Sequence, residues 1–156
     1  LIPIQITLID LAIEAYTSFF ITFEKNKNPI KGTFLQTALT NAMPFAFVTI
    51  FNIVFLIFAG EIIGASSTSL TTMMYLLIGF VSILAVQEVC KPITKVHVFL
   101  FTTTAVGFYV AVALFRRILE LEILTRREFI IVLILAIISY ILIHIKRIIY
   151  KKKLID

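Results

Sequence analysis

Asp10 and Glu14 stand four positions apart in the stretch from Leu1 to Phe23, which carries no other charge. On a helix that spacing places the two carboxyl groups on one face, about 40° apart around the axis and one turn apart along it. Counted at about 100° per residue, Thr7, Asp10, Glu14, Thr17 and Ser18 fall within an arc of about 100°. This is a stripe of carboxylate and hydroxyl oxygens. Such a stripe suits a hard cation such as calcium, magnesium or manganese, or a proton, and lacks the imidazole and thiolate that zinc or copper favour. Two carboxylates supply at most four oxygens, whereas calcium takes about six to eight, so other helices must complete a site.

The setting makes these acids unusual. The chain has 156 residues, 60% of them apolar, with 15 Phe, no Trp and only 15% charged residues. Its mean hydropathy is +1.06. A water-soluble domain carries about 25% charged residues, so this composition points to a polytopic membrane protein. A charged group at the centre of a membrane helix costs about 2.5–3.5 kcal/mol on insertion scales, and acids placed there are functional candidates by default. The plainer reading is that Asp10 and Glu14 are structural acids, protonated or paired with a Lys or Arg of a neighbouring helix. The oxygen-only stripe favours the ion-ligand reading.

Five stretches are long enough to cross a hydrocarbon layer of about 30 Å as helices of about 20 residues: 1–23, 36–60, 70–90, 96–115 and 129–149. Each backbone polar group in lipid must be satisfied within its own helix, so the expected fold is all-α, a single membrane domain over 1–156 built as a bundle of five transmembrane helices. The in-out alternation of a membrane barrel is absent. No Gly or Pro interrupts the first span after Pro3, which reads as a continuous helix. Pro44 removes a backbone donor and is expected to bend the second. Gln36, Asn41 and Asn52 in that span read as interhelical hydrogen-bonding groups rather than ligands. Segment 116–128 mixes Arg and Glu with apolar residues and reads as an extension of the fourth helix or an amphipathic turn at the membrane surface.

Basic residues gather on one side. Lys25, Lys27, Lys31, Lys91, Lys95, Lys146, Arg147, Lys151, Lys152 and Lys153 make ten of the fourteen. By the positive-inside rule that side is cytoplasmic, so the first helix enters from outside and the chain ends in the cytoplasm, in a multi-pass protein of the cell membrane. Arg116, Arg117, Arg126 and Arg127 fall on the other side, against the rule. The net charge of +5 lies in short clusters between apolar spans, which excludes a nucleic-acid groove. The single cysteine, Cys90, excludes an internal disulfide. The sequence opens Leu-Ile-Pro-Ile-Gln without an initiator Met, so the chain is expected to be a piece of a longer polypeptide.

The segment from Leu1 to Glu24 resembles the sixth transmembrane helix of cation-pumping P-type ATPases. There a Pro-x-Gln opening precedes an Asn or Asp, three further residues, and an acid; Pro3, Gln5, Asp10 and Glu14 match those positions. The resemblance implies that Asp10 and Glu14 give oxygen ligands to the transported cation, and that the five spans are the sixth to tenth helices of a pump. Phe19-Phe20, Phe23-Glu24 and Ile30-Lys31-Gly32 resemble a bacterial branch. The pattern of the calcium pumps is not kept at Ala15, where Gly is common, or at Thr17, where Pro is common. Glu88 is similar to an acid that some calcium pumps use in their eighth helix, although its closeness to Lys91 fits a hydrated interfacial acid.

The Asp-Lys-Thr-Gly-Thr phosphorylation motif of such pumps is absent from this chain. The resemblance therefore implies that Mg-ATP is bound by cytoplasmic domains elsewhere in the same protein, and that this piece alone is inactive. Its partners would be the lipid bilayer and the N-terminal helices and cytoplasmic domains of the same pump; self-association of the isolated piece is also open. Exchange of the cation for protons would follow if an apolar surround favours the neutral acid and a bound cation favours the carboxylate. The alternatives are a self-contained channel or secondary transporter, and a non-transporting membrane scaffold.

Overall fold

A computed structural model describes residues 1–22, 34–89 and 94–152. Glu24, Lys25, Lys27, Lys31, Cys90, Lys91 and Lys153 lie outside the described residues, as do the side chains of Gln36 and of residues 146–152. Among the described residues five helices are long and apolar enough to cross a membrane. They are α1 (Pro3–Thr22), α2 (Phe34–Ile63), α3 (Ser67–Val89), α4 (Lys95–Leu114) and α5 (Arg126–Lys152).

Helix ends are fixed by local chemistry. Pro3 opens α1, where its missing N–H costs nothing. Ser66 starts α3: its hydroxyl accepts from Ser69 N at 2.9 Å and donates to Glu122 Oε2 at 2.6 Å. This cap carries α3 further toward its N-terminus than the apolar run from residue 70 suggests. Thr94 caps α4 by accepting from His97 N at 3.3 Å. Glu128 caps the start of α5, its Oε2 accepting from Thr125 N at 2.7 Å and from the Thr125 hydroxyl at 2.8 Å. Helix α2 runs through Pro44 without a break.

Two helices end in the same hydrogen-bond pattern. After α2, Gly64 N donates to Glu61 O and Ala65 N to Gly60 O, with Gly64 at a φ of 67°. After α4, Glu120 N donates to Arg117 O and Leu121 N to Arg116 O, with Glu120 at a φ of 53°. Both are Schellman-type closures. The second folds segment 116–125 back over the bundle, so that Leu119 and Leu121 are buried beside Ile9, Ile13 and Val112.

Helix α3 is the centre of the assembly. On one side it meets α2 and α5 through Leu56, Met73, Leu77 and Leu135; on the other it meets α1 and α4 through Ile13, Tyr75, Ile83 and Phe108. Gly79 lets α4 come close, because a Cβ there would overlap the Phe108 ring. That ring is fully buried and packs on Tyr75 at a centroid distance of 5.8 Å. Asn52 and Ser139 tie α2 to α5: Asn52 Nδ2 donates to Ser139 Oγ at 2.8 Å. Buried polar pairs of this kind hold membrane helices together where hydrophobic burial cannot.

Candidate functional site

Helix α1 is not uniform. From Asp10 to Ala15 it widens into a π-helical segment, in which Tyr16 N reaches back five residues to Leu11 O. The two acids sit at the start and near the end of this segment. No Gly or Pro produces it. Its cause lies in the buried positions, Gln5, Ile9, Ile13 and Thr17, which recur every four residues. In a straight α-helix each such step drifts by about 40°. A stretch with more residues per turn slows that drift and keeps all four against α3, α4 and the 116–125 turn. Segments of this kind occur often at functional sites.

Two hydrogen bonds pin α1 on either side of the π segment. Gln5 accepts from Ile2 N through Oε1 at 3.1 Å and donates from Nε2 to Leu119 O at 2.7 Å. The Tyr16 hydroxyl pairs with Thr103 Oγ1 at 3.1 Å. Pro3 and Gln5 thus have structural work: one starts the helix and the other clamps it to the turn after α4.

With Gln5, Ile9, Ile13 and Thr17 facing inward, Thr7, Asp10, Glu14 and Ser18 are exposed on the outer side of α1. Neither carboxylate makes a hydrogen bond or ion pair with any described residue. Among those residues, no permanent Lys or Arg partner neutralises them. The Thr7 hydroxyl donates to Pro3 O at 3.0 Å, which leaves its lone pairs available. Thr17 parts from the rest of the stripe: it is 4% exposed, and its buried hydroxyl finds no hydrogen-bond partner among the described residues.

Glu14, Thr17, Ser18 and Ser82 line an open cleft of about 280 Å³ between α1 and α3, closed below by Ile13 and Val86. All of its polar groups are oxygens. Asp10 and Thr7 do not line it, and Glu88 lies beyond it, half-buried near the end of α3. Among the described residues no three His, Cys, Asp or Glu side chains are grouped as a metal site. The chain therefore presents two separate oxygen clusters: a carboxylate with hydroxyls in the cleft, and Asp10 one turn away on the same exposed side. Ser82 and the Thr17 hydroxyl, which has no partner among the described residues, add to the cleft's polar lining. Ser82 carries no signal in the sequence, since one Ser in an apolar span is common.

No known family pattern matches the chain as a whole, and no solved structure resembles it closely enough to match. One curated relative is the protein named "Probable cation-transporting ATPase exp7" from Streptococcus pneumoniae serotype 4, 38% identical over 128 residues. That alignment covers 81% of this chain but 16% of the relative, so the chain spans about a sixth of that protein's length. On this similarity, together with five apolar membrane-length helices, the chain belongs to the cation-transporting ATPases as a membrane segment.

Proposed function

We propose that this chain supplies the ion-binding helix and supporting bundle of an ATP-driven P-type cation pump, as its sixth to tenth membrane helices. Asp10 and Glu14 contribute oxygen ligands to a hard cation such as calcium, magnesium or manganese. Mg-ATP is bound, and the phosphoryl group transferred, in cytoplasmic domains outside this chain, and the bundle's C-terminus faces the cytoplasm.

One observation carries the reading. Two exposed carboxylates stand on the π segment of an apolar span, Asp10 outside and Glu14 at the lip of the cleft between α1 and α3, with no counter-charge among the described residues. In lipid such groups are costly unless something positive visits them. Both carboxylates stay exposed in this bundle, so further helices of the same pump would cover them and add the remaining oxygens. The Glu14 cleft, with Thr17, Ser18 and Ser82, gives one cation room for partial dehydration beside α3. The π segment contributes geometry: it sets the direction of both carboxylates while the pins at Gln5 and Tyr16 hold the flanks. When the site turns outward, protons replace the departing cation, which keeps the carboxylates from remaining bare in lipid.

The test is cation-dependent phosphorylation of the full-length protein. Asp10→Asn and Glu14→Gln are each expected to raise the cation concentration for half-maximal phosphorylation by about tenfold or more, equivalent to about 1.4 kcal/mol of lost ligand energy. Unchanged cation dependence in both variants would end the ligand assignment.

A further inference from the structure

A second cleft, of about 460 Å³, opens where α4 ends and α5 begins. Its floor is Thr72 and Leu76 of α3; Tyr109 and Val112 form one wall, Phe129 the other, and Arg116 and Arg126 stand at its rim. No residue of α1 lines it, so it is separate from the acidic face. The volume is within the range of about 300–1,000 Å³ common to small-ligand sites.

The composition of this cleft is amphipathic. Its body is apolar, and neither Arg116 nor Arg126 makes an ion pair or side-chain hydrogen bond with any described residue. The acid nearby, Glu122, is already engaged, since its Oε2 accepts from the Ser66 hydroxyl at 2.6 Å and its N–H donates to Thr72 Oγ1 at 3.0 Å. Two guanidinium groups therefore outnumber one occupied carboxylate at the mouth. Both belong to the arginine cluster that the positive-inside rule leaves without a reason.

We propose that this cleft binds one anionic phospholipid, with an acyl chain between α4 and α5 and the headgroup phosphate held by Arg116 and Arg126. Guanidinium groups match a phosphate in pairs of parallel hydrogen bonds, which a lysine cannot do. The occupant comes from the bilayer itself, because the walls beside the cleft carry exposed apolar side chains at Val106, Val110, Ile130 and Leu133. The hydrogen bond from the Gln5 side-chain Nε2 to Leu119 O joins the same 116–125 turn to the start of α1, so a lipid bound there would stiffen one anchor of the acidic helix.

Native mass spectrometry of the full-length protein, with phosphatidylglycerol and phosphatidylcholine supplied in equal amounts, reads this directly. The wild type is expected to retain phosphatidylglycerol roughly tenfold over phosphatidylcholine. Arg116→Gln combined with Arg126→Gln removes that preference, whereas Arg127→Gln, outside the cleft, keeps it. Ala113→Phe fills the apolar part without altering charge and lowers retention of phosphatidylglycerol. Inorganic phosphate at millimolar concentration leaves the bound lipid in place. The proposal is overturned by equal retention of the two lipids in the wild type. It is overturned equally by a preference that survives the double substitution, or by release of the lipid with phosphate alone.

Discussion

Helices α1 and α3 have similar membrane-spanning lengths, yet the bundle uses them in opposite ways. More than half of α3's apolar window is buried, 56%, against 22% for α1. Helix α3 meets neighbours on both sides and is shaped for packing, with Gly79 opening a space that Phe108 fills. Helix α1 commits one stripe to the bundle and leaves Asp10 and Glu14 exposed, with Glu14 at the lip of the cleft beside α3. The difference teaches that stability and ion chemistry are carried by separate faces, and that substitutions should divide accordingly.

The sharpest way to break that division is on the packing side. Phe108→Ala empties the space beside Gly79 and is expected to cost about 3 kcal/mol. That is the low end for core truncations, because lipid replaces part of the lost apolar contact. Thermal unfolding of the full-length protein should show a clear fall in midpoint, with the cation concentration for half-maximal phosphorylation unchanged in the fraction that stays folded. An equal loss of cation affinity would mean that the two faces are coupled.

A second change probes α1 alone. Leu11 is 65% exposed and lies within the π segment, so deleting it should return the segment to an ordinary α-helix without disturbing the flanks at the buried Ile9 and the half-buried Tyr16. The acids would then be three residues apart and differently aimed. Cation affinity is expected to fall by about tenfold, with stability altered by less than about 1 kcal/mol. Retained affinity would show that the widened turn plays no part in placing the carboxylates.

The smallest effect concerns the two helix closures. Gly64 takes the left-handed conformation freely, while Glu120 takes it against its Cβ. Glu120→Gly is expected to raise stability by about 0.5–1 kcal/mol, seen as a higher unfolding midpoint, without altering cation dependence. A loss of stability would mean that the Glu120 side chain itself holds the turn.

The sequence discloses some of this and hides the rest, for physical reasons. Long apolar runs reveal five helices because only length and hydropathy are needed to cross a bilayer. The acids of α1 announce themselves because charge is costly there. Which helix lies at the centre is not readable, since lipid is as apolar as a protein interior and both faces of a span look alike. The π segment at Asp10–Ala15 is equally hidden: its cause is the four-residue recurrence of Gln5, Ile9, Ile13 and Thr17, masked by apolar neighbours at almost every other position. The stripe reading therefore groups Thr17 with the exposed acids, whereas the widened turn leaves Thr17 inside. Segment 116–125 shows its amphipathic character in the sequence, but its folding back depends on Leu119 and Leu121 finding α1, a contact between distant parts of the chain.

Equilibrium binding of radiolabelled calcium and manganese to the full-length protein, beside a variant carrying both Asp10→Asn and Glu14→Gln, tests the central claim most directly. The account predicts saturable binding of at least one of these ions to the wild type and its loss in the variant, at an unchanged unfolding midpoint. Binding of equal stoichiometry and affinity in both proteins would contradict it.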